Sequence, residues 1–136
     1  MKAIEKLQIH HFGYATKSIE DSVIFYKKMN YVSSEIYIDK IQSVKIVLLS
    51  KENSITIELV EPLGEKSPVN DILKKNGTTP YHVCYEVDDI NNVIKEFKEL
   101  NFIKLFNPVP AIAFQERLIC YLYNRDFGLI ELLNKS

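Results

Sequence analysis

An internal repeat constrains the fold of this chain more than any other feature of its sequence. When the sequence is shifted by 71 positions, the segment from His11 to Tyr31 lies over the segment from His82 to Phe102 without a gap. Nine of these 21 positions are identical or similar in type. A shift of 73 positions aligns Ile57-Glu58-Leu59 with Ile130-Glu131-Leu132. Because this many matches fall in one order, the chain is interpreted as two copies of one unit, about 7–60 and 79–133.

Each copy is predicted to begin with a strand and a helix. Residues 8–16 and 80–87 are rich in aromatic and β-branched types, which favour strands. Ser18 and Asp21 form a capping box that predicts the start of the first helix. Asp89 is the expected N-cap of the second helix. An apolar stripe at helical spacing supports this second helix, and its members are Ile90, Val93, Ile94, Phe97 and Leu100.

Three further strands are expected in each copy, which gives an α+β fold of two tandem βαβββ modules. The best-defined predicted strands are 44–49, 55–60, 118–123 and 129–133. Segments 33–38 and 104–106 are predicted to supply the remaining strand of each copy. The linker, 61–78, is predicted to contain a short helix through Lys75. Ser67 is its expected N-cap and Pro68 its first helical residue, and Gly77 is expected to end it. One domain spanning 1–136 is therefore expected.

Composition excludes several classes of function. The formal net charge is -1, and no basic run is longer than two residues, so a general nucleic-acid binder is not expected. Cys84 and Cys120 lie in apolar, strand-like runs, which is not the pattern of a secreted disulfide framework. No apolar run approaches the roughly 20 residues that span a bilayer. A reduced, cytoplasmic protein without a membrane span is expected.

The repeat places one His in the first strand and one Glu in the last strand of each copy. Glu131 lies between Leu129 and Leu133 on its own face of the strand, where an unpaired carboxylate would be costly to bury. A metal ion or a paired base would compensate that cost. Two imidazoles and two carboxylates suit a first-row divalent metal, so one Ni, Co, Zn or Mn ion per chain is predicted. The predicted ligands are His11, Glu58, His82 and Glu131.

His10 is the rival ligand because it adjoins His11 in the same strand. The repeat places Tyr81 opposite His10 and His82 opposite His11. His11 is therefore the favoured ligand, and His10 is expected on the opposite face of the strand.

These motifs resemble the vicinal oxygen chelate superfamily, which includes glyoxalase I, methylmalonyl-CoA epimerase, extradiol dioxygenases and drug-resistance proteins. The resemblance rests on His11-Phe12-Gly13-Tyr14-Ala15, on Phe25-Tyr26 and on the two Ile-Glu-Leu strands, and it covers nearly the whole chain. It implies that the paired modules form a curved mixed sheet around a metal-binding cavity, with ligands at the same four residues. The linker sequence Glu61-Pro62-Leu63-Gly64 is similar to that of methylmalonyl-CoA epimerases and their glyoxalase-like relatives.

The predicted function is isomerisation or epimerisation by removal of a proton next to a metal-polarised carbonyl. Glu131 is the first candidate for the base and Glu58 the second. The expected substrate is a small molecule, either a 2-oxo hemithioacetal or an acyl-CoA. Arg117 could clamp a carboxylate or phosphate of the substrate, and Phe114 and Tyr121 could line its pocket.

Two other functions remain open from the sequence. One is a non-catalytic resistance-type protein that binds a small molecule, and the other is a dioxygenase, which ranks lower because Glu58 would occupy a position that oxygen needs. A homodimer is expected because the sheets would otherwise leave edge strands uncovered, and because members of the superfamily commonly dimerise.

Overall fold

The computed structural model describes residues 2–136, and its helices and strands follow the sequence repeat. The first copy contains β1 (Gln8–Ala15), α1 (Ile19–Lys28), β2 (Val32–Ser33), β3 (Tyr37–Asp39), β4 (Val44–Ser50) and β5 (Thr56–Pro62). The second contains β6 (Thr79–Val87), α3 (Ile90–Glu99), β7 (Ile103–Lys104), β8 (Val109–Ala111), β9 (Arg117–Asn124) and β10 (Gly128–Asn134), and α2 (Val69–Asn76) lies in the linker. The predicted α+β class with two βαβββ copies is confirmed.

The least defined predicted strand of each copy is divided into two short strands. Segment 33–38 becomes β2 and β3, and the strand predicted at 104–106 becomes β7 and β8. Ser34 explains the first break, because its Oγ accepts the amide of Leu48 at 2.9 Å in place of a backbone carbonyl. The ladder between neighbouring strands is interrupted at that residue.

The structure explains why the sequence needs two shifts to align its copies. The shift is 71 residues at β2 and β7, 72 at β3 and β8, and 73 at β4 and β9. One extra residue is therefore present in the loop before β8 and another in the turn before β9. The longer turn contains Gln115 and Glu116 with φ angles of 58° and 65°, a left-handed conformation that non-glycine residues rarely adopt.

The chain divides into two compact units. The first is His11–Tyr81, and the second is His82–Ser136 together with the residues up to His10. In the first unit the strand order is β2-β4-β5-β1, with β1 parallel and β4 antiparallel to β5. In the second the order is β6-β10-β9-β7, with β6 parallel and β9 antiparallel to β10. The two sheets therefore have the same topology, while the expectation of one domain stays a prediction.

One face of each sheet is covered by the helix of its own copy. In the first unit, Ile19 and Val23 of α1 pack with Val47, Leu49, Ile57 and Leu59. In the second unit, the apolar stripe of α3 packs with Cys120, Leu122, Ile130 and Leu132. Since side chains alternate along a strand, Glu58 and Glu131 point to the opposite face of each sheet.

Leu100 is a correction to the predicted stripe of α3. The helix ends at Glu99, and Leu100 is its C-cap residue. The side chain of Leu100 is therefore exposed rather than packed with the stripe.

The linker helix agrees with the prediction to within one residue. Pro68 has helical backbone angles and stands at the N-cap, and Ser67 Oγ accepts the amide of Val69 at 3.3 Å. Gly77 follows the helix with a φ of 69°, as expected of a residue that ends one.

None of the helices among residues 2–136 has both the length and the apolar character needed to cross a membrane. The expected cytoplasmic location stays a prediction.

Candidate metal centre

The first unit holds a buried His–Glu pair on two neighbouring parallel strands. His11 lies on β1 and Glu58 on β5, where the Cα partner of Glu58 is Gly13. The Nε2 atom of His11 lies 3.4 Å from Oε1 of Glu58, and the two side chains are 0% and 3% exposed. The pair is therefore shielded from water.

The second unit holds the same pair in the same register. His82 lies on β6 and Glu131 on β10, and the Cα partner of Glu131 is Cys84, two residues after the histidine. The Nε2 atom of His82 lies 3.2 Å from Oε1 of Glu131, and the side chains are 0% and 2% exposed. The repeat thus preserves the residue types, the strand register and the distance between the two donor atoms.

His11 with Glu58, and His82 with Glu131, are each a pair of possible metal ligands within one unit. The test of fit is the spacing of the donor atoms within each pair. Two ligands that bind one ion with bonds of about 2.1 Å, at angles between octahedral and tetrahedral, have donor atoms roughly 3.0–3.5 Å apart. Both His–Glu distances lie in this range. The donors are also chemically suitable, since imidazole nitrogens and carboxylate oxygens bind first-row divalent ions. The residues present therefore fit a metal ion.

His10 and His11 lie on opposite faces of β1, as strand alternation predicts. His11 is fully buried, whereas His10 is only partly buried. The ring of His10 meets the ring of Phe114 edge-on, with centroids 5.5 Å apart. Phe114 itself is buried in a short 3₁₀ turn before β9, and its predicted place in a substrate pocket stays a prediction.

Tyr121 is the predicted pocket residue that lies next to a candidate ligand. It is the Cα partner of Glu131 across the β9–β10 ladder, so the two side chains share a face of the sheet. Its ring lies 5.3 Å from the ring of His82 and 5.7 Å from that of Phe106. At the equivalent place in the first unit, Leu48 is the partner of Glu58. Only the second pair therefore has an aromatic wall at this position.

Arg117 is held by its own chain at the start of β9. Its guanidinium contacts the carboxylate of Glu86 at 2.5 Å and donates to the carbonyl of Asn134 at 2.7 Å. Because these groups occupy two of its donor positions, a substrate anion would have to bind at the remaining ones or displace Glu86. Binding of substrate by Arg117 stays a prediction.

Sequence reasoning missed Glu86 as the partner of Arg117. The signal was present, because Glu86 lies four residues after His82 and therefore on the same face of β6. The equivalent residue in the first copy is the buried Ala15. A charged residue that replaces a buried alanine in a repeat indicates a partner of opposite charge nearby.

Cys120 is a fully buried residue of the core, in agreement with its place in an apolar, strand-like run. Burial raises the pKa of Cys120 to about 11, and its Sγ lies 3.0 Å from the carbonyl oxygen of Phe106. It is therefore protonated near neutral pH and unsuited to act as a thiolate nucleophile or ligand.

Comparison with known proteins places this chain in a family. A model of the Glyoxalase/Bleomycin resistance protein/Dioxygenase superfamily matches residues 10–121. The mitochondrial methylmalonyl-CoA epimerase of Dictyostelium discoideum is 30% identical over 132 residues, which cover 94% of this chain and 78% of that protein. The ethylmalonyl-CoA/methylmalonyl-CoA epimerase of Cereibacter sphaeroides is 29% identical and covers 92% of this chain and 96% of its own length.

A solved structure extends this similarity to three dimensions. The crystal structure of a hypothetical protein from Bacillus halodurans C-125 superposes with a TM-score of 0.85 at 29% identity and covers 96% of each chain. The superfamily that the sequence motifs resemble is thus the one whose family model matches the chain. The chain belongs to the glyoxalase/bleomycin resistance protein/dioxygenase superfamily.

Proposed function

We propose that this chain is a metal-dependent epimerase- or isomerase-type enzyme that moves a proton on the carbon next to a carbonyl group. The observation that carries the proposal is the pair of buried His–Glu sites, which occupy the same register in the two copies. Two buried carboxylates are costly to keep in an apolar interior unless a cation or hydrogen bonds compensate them. A protein that used these strands only as a scaffold would be more stable with apolar residues at both positions.

In this proposal, His11, Glu58, His82 and Glu131 hold one divalent ion per chain, which could be Ni, Co, Zn or Mn. When bound, the ion would act as a Lewis acid that polarises the carbonyl oxygen of the substrate. The His–Glu spacing in each unit supports the assignment, because it matches that of two ligands on one ion.

Glu131 is the proposed base. Its carboxylate is 2% exposed, so it would exchange a proton with a bound substrate rather than with bulk water. Tyr121 lies beside it on the same face and offers an aromatic surface against which a substrate could be oriented. Glu58 has Leu48 in that place, so its surroundings are better suited to a residue that acts only as a ligand.

The proposed substrate is an acyl-CoA thioester with an acidic hydrogen next to its carbonyl. The support comes from the two curated relatives described above, whose names state that they are epimerases of methylmalonyl-CoA or ethylmalonyl-CoA. Removal of the proton from one face of that carbon and return of a proton to the opposite face would invert its configuration without any change of bonding elsewhere.

Exchange of the substrate's α-hydrogen with deuterium, followed by NMR in heavy water at saturating metal, tests this proposal. The panel contains methylmalonyl-CoA, ethylmalonyl-CoA and a 2-oxo hemithioacetal. Glu131→Gln keeps an oxygen donor but removes the proton acceptor, so exchange is expected to fall by about 100- to 10,000-fold. Glu58→Gln is the matched control, and it is expected to weaken metal binding similarly while reducing exchange less.

Two results would contradict the proposal. Equal, small losses in both variants would remove Glu131 as the base. Tight binding of panel members without any proton exchange would instead indicate a small-molecule-binding protein of the resistance type.

A further inference from the structure

A partly exposed apolar surface lies beside the His82–Glu131 pair, on the same face of the second sheet. Tyr121 is the cross-strand partner of Glu131, and Tyr123 shares its face because side chains alternate along β9. Ile103 on β7 is in turn the cross-strand partner of Tyr123. Residues that are directly paired in antiparallel strands share a face, so these side chains form one continuous surface. We name Tyr121, Tyr123 and Ile103 the β9 shelf.

The β9 shelf runs from a buried end to an exposed end. The side chains of His82 and Glu131 are 0% and 2% exposed, and Tyr121 beside them is partly buried. Tyr123 is 42% exposed and Ile103 is 63% exposed. Exposed apolar side chains that are grouped in this way are typical of ligand-binding grooves and interfaces. The shelf therefore offers a path from solvent to a candidate metal ligand.

At the equivalent positions the first copy has smaller and less aromatic side chains. Leu48, Ser50 and Val32 occupy the places of the three shelf residues, in the same strand register. The repeat itself therefore requires neither of the two tyrosines. The shelf has diverged in the copy that holds the proposed base, Glu131.

The backbone of β7 adds hydrogen-bonding groups at the exposed end of the shelf. β7 ends the strand order of the sheet on this side. The amide of Leu105, which follows β7, donates to the carbonyl of Tyr121 at 3.0 Å. Because hydrogen-bonded and non-bonded residues alternate in an antiparallel ladder, the amide and the carbonyl of Lys104 point away from β9. Edge groups of this kind can bind the amide groups of an extended ligand.

The dimensions of the shelf indicate the kind of ligand. Glu131 and Ile103 are separated by two strand spacings and by two residues along the strands, which corresponds to roughly 12 Å. In an acyl-CoA, an arm that contains amide groups joins the thioester to the nucleotide. This arm is as long as about four residues of extended chain, roughly 14 Å. A thioester at the metal centre would therefore place the nucleotide beyond the exposed end of the shelf.

We propose that the β9 shelf and the edge of β7 bind the amide-containing arm of an acyl-CoA substrate, which lies extended beside β7. The inference rests on the proposed function, because it requires a thioester at the metal centre. The arm matches both features of this surface, since its carbon chain packs on the apolar side chains and its amides pair with the backbone of Lys104. A purely apolar chain would make no use of those backbone groups.

Proton exchange with two different thioesters tests this inference. Methylmalonyl-CoA carries the whole arm, whereas the methylmalonyl thioester of N-acetylcysteamine ends after its first amide group. The double variant Ile103→Ser with Tyr123→Ser removes apolar contact surface and is expected to raise KM for methylmalonyl-CoA by about tenfold. KM for the short thioester and kcat for both substrates should stay close to the wild-type values, because the lost contacts act on binding of the arm alone.

Val32→Ser is the matched control, because Val32 occupies the position of Ile103 in the first copy and is 69% exposed. It is expected to leave KM unchanged for both thioesters. Binding of coenzyme A, followed by NMR titration, is a second measurement that does not depend on turnover. It is expected to weaken in the double variant and to stay unchanged in Val32→Ser. Circular dichroism checks that each variant is folded.

The outcomes separate this inference from the proposed function. An unchanged KM for methylmalonyl-CoA, or an equal increase for both thioesters, would overturn the inference and leave the proposed function in place. A wild-type chain that exchanges the proton of neither thioester would overturn the proposed function. In that case, weaker binding of coenzyme A by the double variant would still support the shelf as its binding surface, and unchanged binding would overturn it.

Discussion

The two copies of the βαβββ module keep the same His–Glu pair but differ in what surrounds it. His11 with Glu58 and His82 with Glu131 have the same strand register and nearly the same donor distance. The cross-strand partner of Glu58 is Leu48, which is aliphatic, whereas the cross-strand partner of Glu131 is Tyr121, which is aromatic. What the copies share accounts for folding and the proposed metal binding, and what differs is where substrate specificity is expected.

The divergence continues along the same faces of the two sheets. The first copy has the buried, apolar Ala15 and Val44, and the second has Glu86 and Arg117 at the equivalent positions. An apolar pair has thus been replaced by an ion pair that is partly exposed to water. The second copy therefore has a charged pair where the first copy has two apolar residues.

The largest effect of a substitution is expected on stability, in the cores under the helices, where the two copies are most alike. Leu49 and Leu122 are fully buried at equivalent positions beneath α1 and α3. Leu49→Ala and Leu122→Ala should each lower the free energy of unfolding by about 2–5 kcal/mol, since each leaves a cavity in packed surroundings. Urea denaturation followed by circular dichroism measures this change.

The same experiment tests whether the chain is a single cooperative domain. We expect a single unfolding transition whose midpoint urea concentration is lowered to a similar extent by either substitution. Two transitions, of which each variant displaces only one, would show that the copies unfold independently.

A smaller effect is expected where the copies differ, at Tyr121. Tyr121→Leu gives the second pair the neighbour that the first pair has. It should lower kcat/KM by about tenfold through lost aromatic contacts, with metal affinity unchanged. Tyr121→Phe keeps the ring and serves as the control, with most of the activity retained. If Tyr121→Leu is fully active, the aromatic wall has no part in substrate binding.

The smallest effect is expected at the two helix caps. Ser18 accepts the amide of Asp21, and Asp89 accepts the amide of Asn92, so the caps are equivalent although the residues differ. Ser18→Ala and Asp89→Ala should each lower the free energy of unfolding by about 1 kcal/mol. Thermal denaturation measures both changes. A substitution that leaves the free energy of unfolding unchanged at one cap and lowers it at the other would contradict the equivalence of the two caps.

Features that depend on neighbouring residues or on repetition could be predicted from the sequence. The caps at Ser18 and Asp89 follow from local residue types, and strand alternation separates His11 from His10. The two His–Glu pairs could be recognised because they occupy the same positions when the two copies are aligned.

Features that depend on contacts between distant segments could not be predicted. The amides of Ala3 and Ile4 reach Glu96 more than ninety residues away, and no local pattern signals that contact. The exposure of Leu100 depends on the turn that ends α3 at Glu99, whereas helical periodicity alone would continue the stripe. The break in the short strands depends on a side chain, that of Ser34, which replaces a backbone acceptor.

Metal content per chain is the measurement on which the proposed centre depends. Protein purified without an affinity tag is loaded with Ni, Co, Zn or Mn in turn and analysed by native mass spectrometry and elemental analysis. One ion per chain is expected in the wild type, and His11→Ala and His82→Ala should weaken its binding by similar factors because each removes one donor of the same site. Absence of bound metal after loading would contradict the account. So would two ions per chain, of which each variant removes only one.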